Sequence, residues 1–288
     1  MSCKAQGSPL TNRQIKLVVV DLDGTLINSR GQISSADKTV IAAAKSGGIA
    51  IALSTGRVVD ACRQYIADLS LDGAHIFFDG ALIYNPTQNT TIALQPIDPG
   101  LLAAAVRFAR ANSIYLELYA LDRYFVEEIN WADAIHREFF GLRSTHVNFD
   151  EIIGRELIIK CELMIHNQDE ELKARLFLDH FTGSLRGSVA RTPAYPNVKF
   201  INVVNPAVSK GTALVKLAAY LNLDLDQVMA IGDGINDLSL LGTAGLAVAM
   251  GNASDELKAC ADFVTSSVDL SGVALAISRF VLSRDGET

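Results

Sequence analysis

Residues 18–26 read VVVDLDGTL. Val18, Val19 and Val20 in succession leave no polar face, so the segment reads as a strand covered on both sides. It ends in Asp21 and Asp23, one residue apart, and turns at once on Gly24. Two carboxylates so close repel each other unless something positive sits between them. The strand tip is therefore half of a charged site, and the other half must come from elsewhere in the chain.

The neighbouring sequence supplies a sheet. SSADKTVIAAAKSGG places Ser34 and Asp37 at capping-box spacing and closes on Gly47-Gly48, which predicts a helix. IAIALS (49–54) reads as the next strand, 57–69 as a helix and AHIFF (74–78) as a third strand. Strand, helix, strand, helix, strand points to a parallel sheet with helices on both faces.

From about Ile83 to Phe200 the rhythm changes. Asp98-Pro99 starts a helix through Asn112, and 113–120 with 123–128 resembles an antiparallel hairpin. Strands are expected at 157–166 and 198–204, with a helix near 169–181. From Ser209 the strict alternation returns: a helix to about Leu221, strands at QVMAIGD, AGLAVAM and DFVTS, and helices between and after them. The expected fold is α/β. A doubly wound, Rossmann-like parallel-sheet core is formed by residues 1–83 and 201–288, with an inserted α+β cap domain at 84–200.

A length of 288 residues accommodates two such domains. The formal net charge of −7 argues against a nucleic-acid or anionic-membrane surface. An anionic substrate would have to be drawn in by a few local cations or a metal. Cys3, Cys62, Cys161 and Cys260 form no CxxC pair and read as reduced thiols rather than disulfides or a zinc site. The polar start, MSCKAQGSPLTNRQ, lacks the apolar stretch of a secretory signal and reads as a leader before the first strand. With no apolar run of membrane-spanning length, a cytoplasmic location is expected.

Ligands of open parallel sheets sit at the carboxyl ends of the strands. The tips collect Asp21, Asp23, Gly24 and Thr25; Ser54, Thr55, Gly56 and Arg57; Lys210; and Gly232, Asp233, Gly234, Asn236 and Asp237. Asp21, Asp23 and Asp233 make a hard oxygen site suited to Mg²⁺, which favours phosphate oxygens. Lys210 adds a point charge, Thr55 a hydroxyl, and Gly56 a backbone that an anion can approach closely. Each fragment alone has a plainer reading: DGT as a turn, STGR as a capped loop, Lys210 as a solvated first-turn residue, GDGIND as a glycine-rich turn before a helix. Their joint occurrence, each at a strand or helix tip, favours one phosphate-handling site.

VVVDLDGTL, ALSTGR, Lys210 in NPAVSKGTAL, and AIGDGINDLSLL together resemble the four motifs of the haloacid dehalogenase superfamily of phosphohydrolases. The tail LAVAMGNASDELKACADFVTSS is similar to that of its Cof-like branch, which carries a large α/β cap between the second and third motifs. The resemblance implies that Asp21 is the nucleophile forming an aspartyl-phosphate and Asp23 the general acid and base. It implies Mg²⁺ held by Asp21, the backbone carbonyl of Asp23, and Asp233. Thr55 and Gly56 would bind the transferring phosphoryl group, Lys210 would neutralise it, and Asn236 would hydrogen-bond phosphate. Asp237 would support the metal or Lys210, and Arg57 would lie near the site mouth.

The sequence departs from that pattern at Asp79, where asparagine is common, and at Asn202, where an acid is frequent. Both departures bear on substrate contacts or cap docking rather than on the reaction. Within the cap, Arg123, Trp131, His136, Arg137, Arg143 and His146 are polar or aromatic candidates. Trp131 is expected to pack and the basic residues to be mostly solvated, with one or two facing the site. The implied function is a Mg²⁺-dependent phosphatase of small phosphorylated metabolites, sugar phosphates foremost. A phosphosugar mutase of the same superfamily is the alternative, and a non-catalytic phosphate- or metal-responsive binder the third reading.

Overall fold

The computed structural model describes residues 14–283 apart from Pro193, so the expected leader lies, up to residue 13, outside the described residues. The chain begins with β1 (Leu17–Asp21), α1 (Ser35–Ser46), β2 (Ala50–Ser54), α2 (Arg63–Asp68), β3 (His75–Phe77), β4 (Leu82–Asn85) and β5 (Thr90–Leu94). Next come α3 (Pro99–Ala111), β6 (Glu117–Tyr119), β7 (Tyr124–Val126), α4 (Ala132–Phe139), β8 (Ser144–His146), β9 (Lys160–Ile165), α5 (Gln168–His180), β10 (Arg186–Ala190) and β11 (Lys199–Val204). The last section holds α6 (Lys210–Tyr220), β12 (Val228–Gly232), α7 (Leu238–Thr243), β13 (Leu246–Ala249), α8 (Asp255–Ala259), β14 (Phe263–Val264) and α9 (Gly272–Ile277).

All five residues of β1 are buried, as its unbroken apolar run requires. Val18 and Val20 pack on one side with Ile41 and Ala44 of α1 and Val273 and Ile277 of α9. Leu17 and Val19 pack on the other with Leu214 and Leu217 of α6 and Leu240 and Leu241 of α7. Each such Val, Leu or Ile side chain contributes about 1.5–3 kcal/mol relative to exposure. Ser34 caps α1 through the Asp37 backbone N–H, as the spacing predicts, and the buried Asp37 carboxylate also accepts the Ala274 N–H at 2.7 Å. That bond ties the first helix to the last.

The eight-stranded sheet runs β14-β13-β12-β1-β2-β3-β4-β5. From β14 to β3 every pairing is parallel. β1 sits between β12 and β2, so the crevice opens beyond Asp21, Ser54 and Gly232. β4 and β5 extend the sheet in antiparallel fashion, which the strand–helix rhythm does not anticipate.

A second sheet, ordered β10-β11-β9-β6-β7-β8, forms the inserted unit. Sheet membership shifts the boundaries read from sequence. β5 lies beyond residue 83 yet belongs to the large sheet, and β11 crosses residue 200 yet belongs to the small one. Leu118, Cys161, Leu163, Ile201 and Val203 face α3 and α5, burying Leu102, Val106 and Phe177. The opposite face carries a row of directly paired polar residues, Ser188, Asn202, Glu162 and Glu117. β8, β10 and α4 are absent from the sequence expectation because they are short, at three, five and eight residues.

Cys62 and Cys161 are buried free thiols. Cys260 is disulfide-bonded, so the expectation of four reduced thiols does not hold there. Among the described residues, no helix is long and apolar enough to cross a membrane.

Candidate active site

Asp21 ends β1 at the crevice, and Lys210 opens α6 beside it. Ser209 caps α6 by accepting the Thr212 N–H, which fixes the first turn and aims Lys210 inward. The buried Lys210 Nζ donates to Asp21 Oδ1 at 2.6 Å and to Asp237 Oδ1 at 2.7 Å. Burial alone would lower the lysine pKa, but the Asp21, Asp237 and Asp79 carboxylates raise it overall, so Lys210 stays charged. Asp237 spends its other oxygen on the Asp233 and Gly234 backbone N–H groups at 3.1 and 2.9 Å. With both oxygens committed, Asp237 supports Lys210 and the loop.

Asp233, just past β12, receives the Thr25 hydroxyl on Oδ1 at 2.7 Å and the Asn252 amide on Oδ2 at 3.3 Å. Asn252 also donates to the Gly24 carbonyl at 2.8 Å and accepts the Val268 N–H at 2.9 Å. Gly24 holds φ +83°, and a Cβ there would stand 2.5 Å from Asp233 Oδ2. Oxygens of Asp21, Asp233 and Asp237 lie within 4.8 Å of one another, a group able to hold a metal ion. Burial, then repulsion from Asp237, pushes Asp233 up to about 7. Burial, Asp237 and Asp233 likewise raise Asp21 well above its ordinary value against the pull of Lys210. Crowded hard oxygens that resist ionisation fit a divalent cation, which would remove their mutual repulsion.

Asp23 is two residues along but differently engaged. Arg57 Nε and Nη2 donate to its two oxygens at 2.7 and 2.6 Å. The guanidinium lies over two rings, 4.7 Å from the Phe140 centroid and 5.6 Å from that of Tyr65. Thr55 Oγ1 accepts the Arg57 N–H at 3.1 Å, leaving its own hydrogen to donate into the cavity. Asn236 lines the same cavity, but its amide nitrogen donates to Asp79 Oδ1 at 3.1 Å. Its expected phosphate bond would require that contact to be shared.

The cavity, about 600 Å³, opens between the two sheets. Asp21, Asp23, Thr55, Gly56, Arg57, Asp233 and Asn236 line its core side. Lys210 and Asp237 support it from below through Asp21 and the loop. The cap side brings Tyr119, His136, Lys160 and Glu162, with Phe140, Leu142 and Phe200 as apolar wall. Of the six cap candidates, His136 reaches this wall. Trp131 instead donates to Glu170 at 2.8 Å, Arg123 pairs with Glu156, Arg137 with Asp133, and His146 contacts the Glu127 carbonyl. Arg143 is exposed.

The buried cap polars neutralise one another. Glu117 receives the Tyr115 and Tyr119 hydroxyls at 3.0 and 2.7 Å and lies 2.9 Å from His136 Nε2. Burial would lower His136, but Glu117 outweighs it and raises its pKa. Lys160 Nζ bonds Glu162 and sits 4.3 Å above the Tyr119 ring. Glu117, His136 and Glu162 are close enough to share a metal, yet the Tyr115 and Tyr119 hydroxyls and the Lys160 ammonium already bond the two carboxylates. Sequence reasoning missed Lys160, Glu162, Glu117 and Asn252. A charge inside an otherwise apolar strand, as in LIIKCELMI and IYLEL, was the available signal for the first three.

Residues 18–277 match the model of a family described as haloacid dehalogenase-like hydrolase. The chain is 28% identical over 268 residues to 5-amino-6-(5-phospho-D-ribitylamino)uracil phosphatase YcsE of Bacillus subtilis, covering 93% of this chain and 96% of that protein. It is 28% identical to phosphatase YwpJ of the same organism, over 90% of this chain and 98% of that one. Among solved structures, a haloacid dehalogenase-like hydrolase from Bacteroides thetaiotaomicron superposes with a TM-score of 0.79 at 26% identity, over 92% of this chain and 99% of the other. A match spanning nearly the whole chain, with phosphatases as relatives, sets aside the non-catalytic reading. The chain belongs to the haloacid dehalogenase-like hydrolases and is a phosphatase of that family.

Proposed function

We propose that the protein is a Mg²⁺-dependent phosphohydrolase releasing phosphate from small phosphorylated metabolites, sugar phosphates foremost, through an aspartyl-phosphate on Asp21. The observation carrying this reading is the convergence of Asp21, Asp233 and Lys210 at the floor of a cavity with a cap-side roof. In the first step an Asp21 carboxylate oxygen attacks phosphorus and the ester P–O bond breaks. Asp23 gives its proton to the departing alkoxide. In the second, Asp23 takes a proton from water, the water oxygen attacks phosphorus, and phosphate leaves with Asp21 regenerated.

Lys210 holds one Asp21 oxygen at 2.6 Å, directing the other toward the reacting phosphorus. Thr55 and the Gly56 backbone receive the phosphoryl oxygens. Asp21, the Asp23 carbonyl and Asp233 would hold Mg²⁺, which supplies charge neutralisation and Lewis-acid polarisation of the phosphoryl group. The cap then sets the leaving group. Lys160, Glu162 and His136 offer both donors and acceptors, as hydroxyl groups require, and Phe140 and Phe200 offer an apolar face. The ribityl phosphate named for one relative is a substrate of that kind.

Phosphate release from a panel of sugar, cofactor and nucleotide phosphates with Mg²⁺, alongside Asp21→Asn, tests the reading. Release that vanishes in the variant supports it. Interconversion of isomeric sugar phosphates without release would favour the mutase alternative.

A further inference from the structure

Asn202 stands between a cation that can only donate and a carboxylate that accepts. Its Oδ1 accepts from Lys160 Nζ at 2.8 Å, and its Nδ2 donates to Asp79 Oδ2 at 2.7 Å. Ser188, directly opposite Asn202 in the β10–β11 register, donates to the same Asp79 oxygen at 2.7 Å. Asn236, from the loop after β12, donates to the other oxygen at 3.1 Å. Asp79 belongs to the core, and Ser188 and Asn202 to the cap. The junction is buried: Asp79, Lys160 and Asn202 are each at most 3% exposed. Burial would raise the Asp79 pKa, but Lys210 and these three donors hold it below its ordinary value, so the acceptor is ionised.

The junction touches the phosphate loop itself. A Cβ on Gly56 would lie 2.6 Å from Asn202 Nδ2 and 3.1 Å from Asp79 Oδ1, and Lys160 Nζ is 3.5 Å from the Gly56 carbonyl. We propose that Asn202 is a positioning residue that locks the cap onto Asp79 and thereby fixes Lys160 against the phosphate loop. An acid at 202 would serve Lys160 but repel Asp79, and an apolar residue would leave both buried charges without it. The pairing can be inverted: with an amide at 79 and a carboxylate at 202, the amide nitrogen again donates across the junction and Lys160 keeps its acceptor.

Its catalytic consequence rests on the phosphatase reading above, so the test carries one readout that does not. Asp79→Asn, Asn202→Asp and the double variant are compared with wild type by amide exchange in β10 and β11 without substrate, and by kcat and KM for a turned-over phosphate ester. Thermal unfolding confirms that each variant folds. Asn202→Asp is expected to speed exchange and lower kcat/KM by about tenfold or more, chiefly through KM, from like-charge repulsion, and the double variant to restore both to within about threefold of wild type. Double-variant effects equal to the product of the single ones would overturn the lock. If wild type turns over no ester, the phosphatase reading fails and the exchange measurement still decides this one.

Discussion

The Asp23 carboxylate lies in the fork of Arg57, with two hydrogen bonds of 2.7 and 2.6 Å, while Phe140 of the cap covers the same guanidinium. One side chain thereby touches the proposed acid–base group and the cap. Arg57→Ala should lower kcat/KM about 10- to 150-fold, the equivalent of losing charge-assisted hydrogen bonds worth about 1.5–3 kcal/mol. Arg57→Lys should recover only part of this, because an ammonium cannot fill both ends of the fork. Steady-state kinetics on one substrate decides the matter; equal recovery by lysine would contradict it.

Lys210 sits between two buried carboxylates. Lys210→Met strands both charges and should cost about 3–5 kcal/mol of stability. Lys210→Met with Asp237→Asn should cost less, since one stranded charge is gone. Urea unfolding of the two variants in metal-free buffer provides the comparison.

The metal should act on stability in a pH-dependent way. Burial, then repulsion from Asp237, raises Asp233 to about 7, above its ordinary value of 3.8. A carboxyl raised in the folded state favours folding when protonated, so its contribution is full below 3.8 and lost as pH rises through about 7. Mg²⁺ competes with that proton. The rise in unfolding temperature caused by millimolar Mg²⁺ should therefore be larger at about pH 8 than at about pH 5. Thermal scans with and without Mg²⁺ check this, and equal shifts at both pH values would exclude it.

Much of the core was legible because its chemistry sits at strand and helix tips. Asp21, Thr55, Lys210 and Asp233 each follow a buried run or a capping residue, and the sheet order brings them together. The cap was harder to read because its contacts are made across strands. Nothing local in KCEL or FINV announces that Glu162 and Asn202 are register partners, or that Asp79 lies beneath them. The two departures from the family pattern, Asp79 and Asn202, are far apart in sequence and in direct contact in space. β4 and β5 go unanticipated for a related reason: a hairpin added to a parallel sheet breaks the rhythm that delimits the core.

Thr25 and Asn252 orient Asp233 without carrying charge. Removing such an orienting bond typically weakens metal binding about 10- to 100-fold, so Thr25→Ala should raise the Mg²⁺ concentration for half-maximal activity by that factor. Saturating Mg²⁺ should restore most of kcat. A Mg²⁺ titration of both proteins gives the answer; an unchanged half-maximal concentration would mean that Asp233 is not a ligand.

The proposed mechanism passes phosphate through Asp21. Rapid acid quenching during turnover of a phosphate ester, followed by peptide mass spectrometry, addresses it most directly. A phosphoryl adduct on the peptide containing Asp21 is expected to form and decay during turnover and to be absent in Asp21→Asn. Phosphate release that persists in Asp21→Asn, with no adduct in either protein, would contradict it.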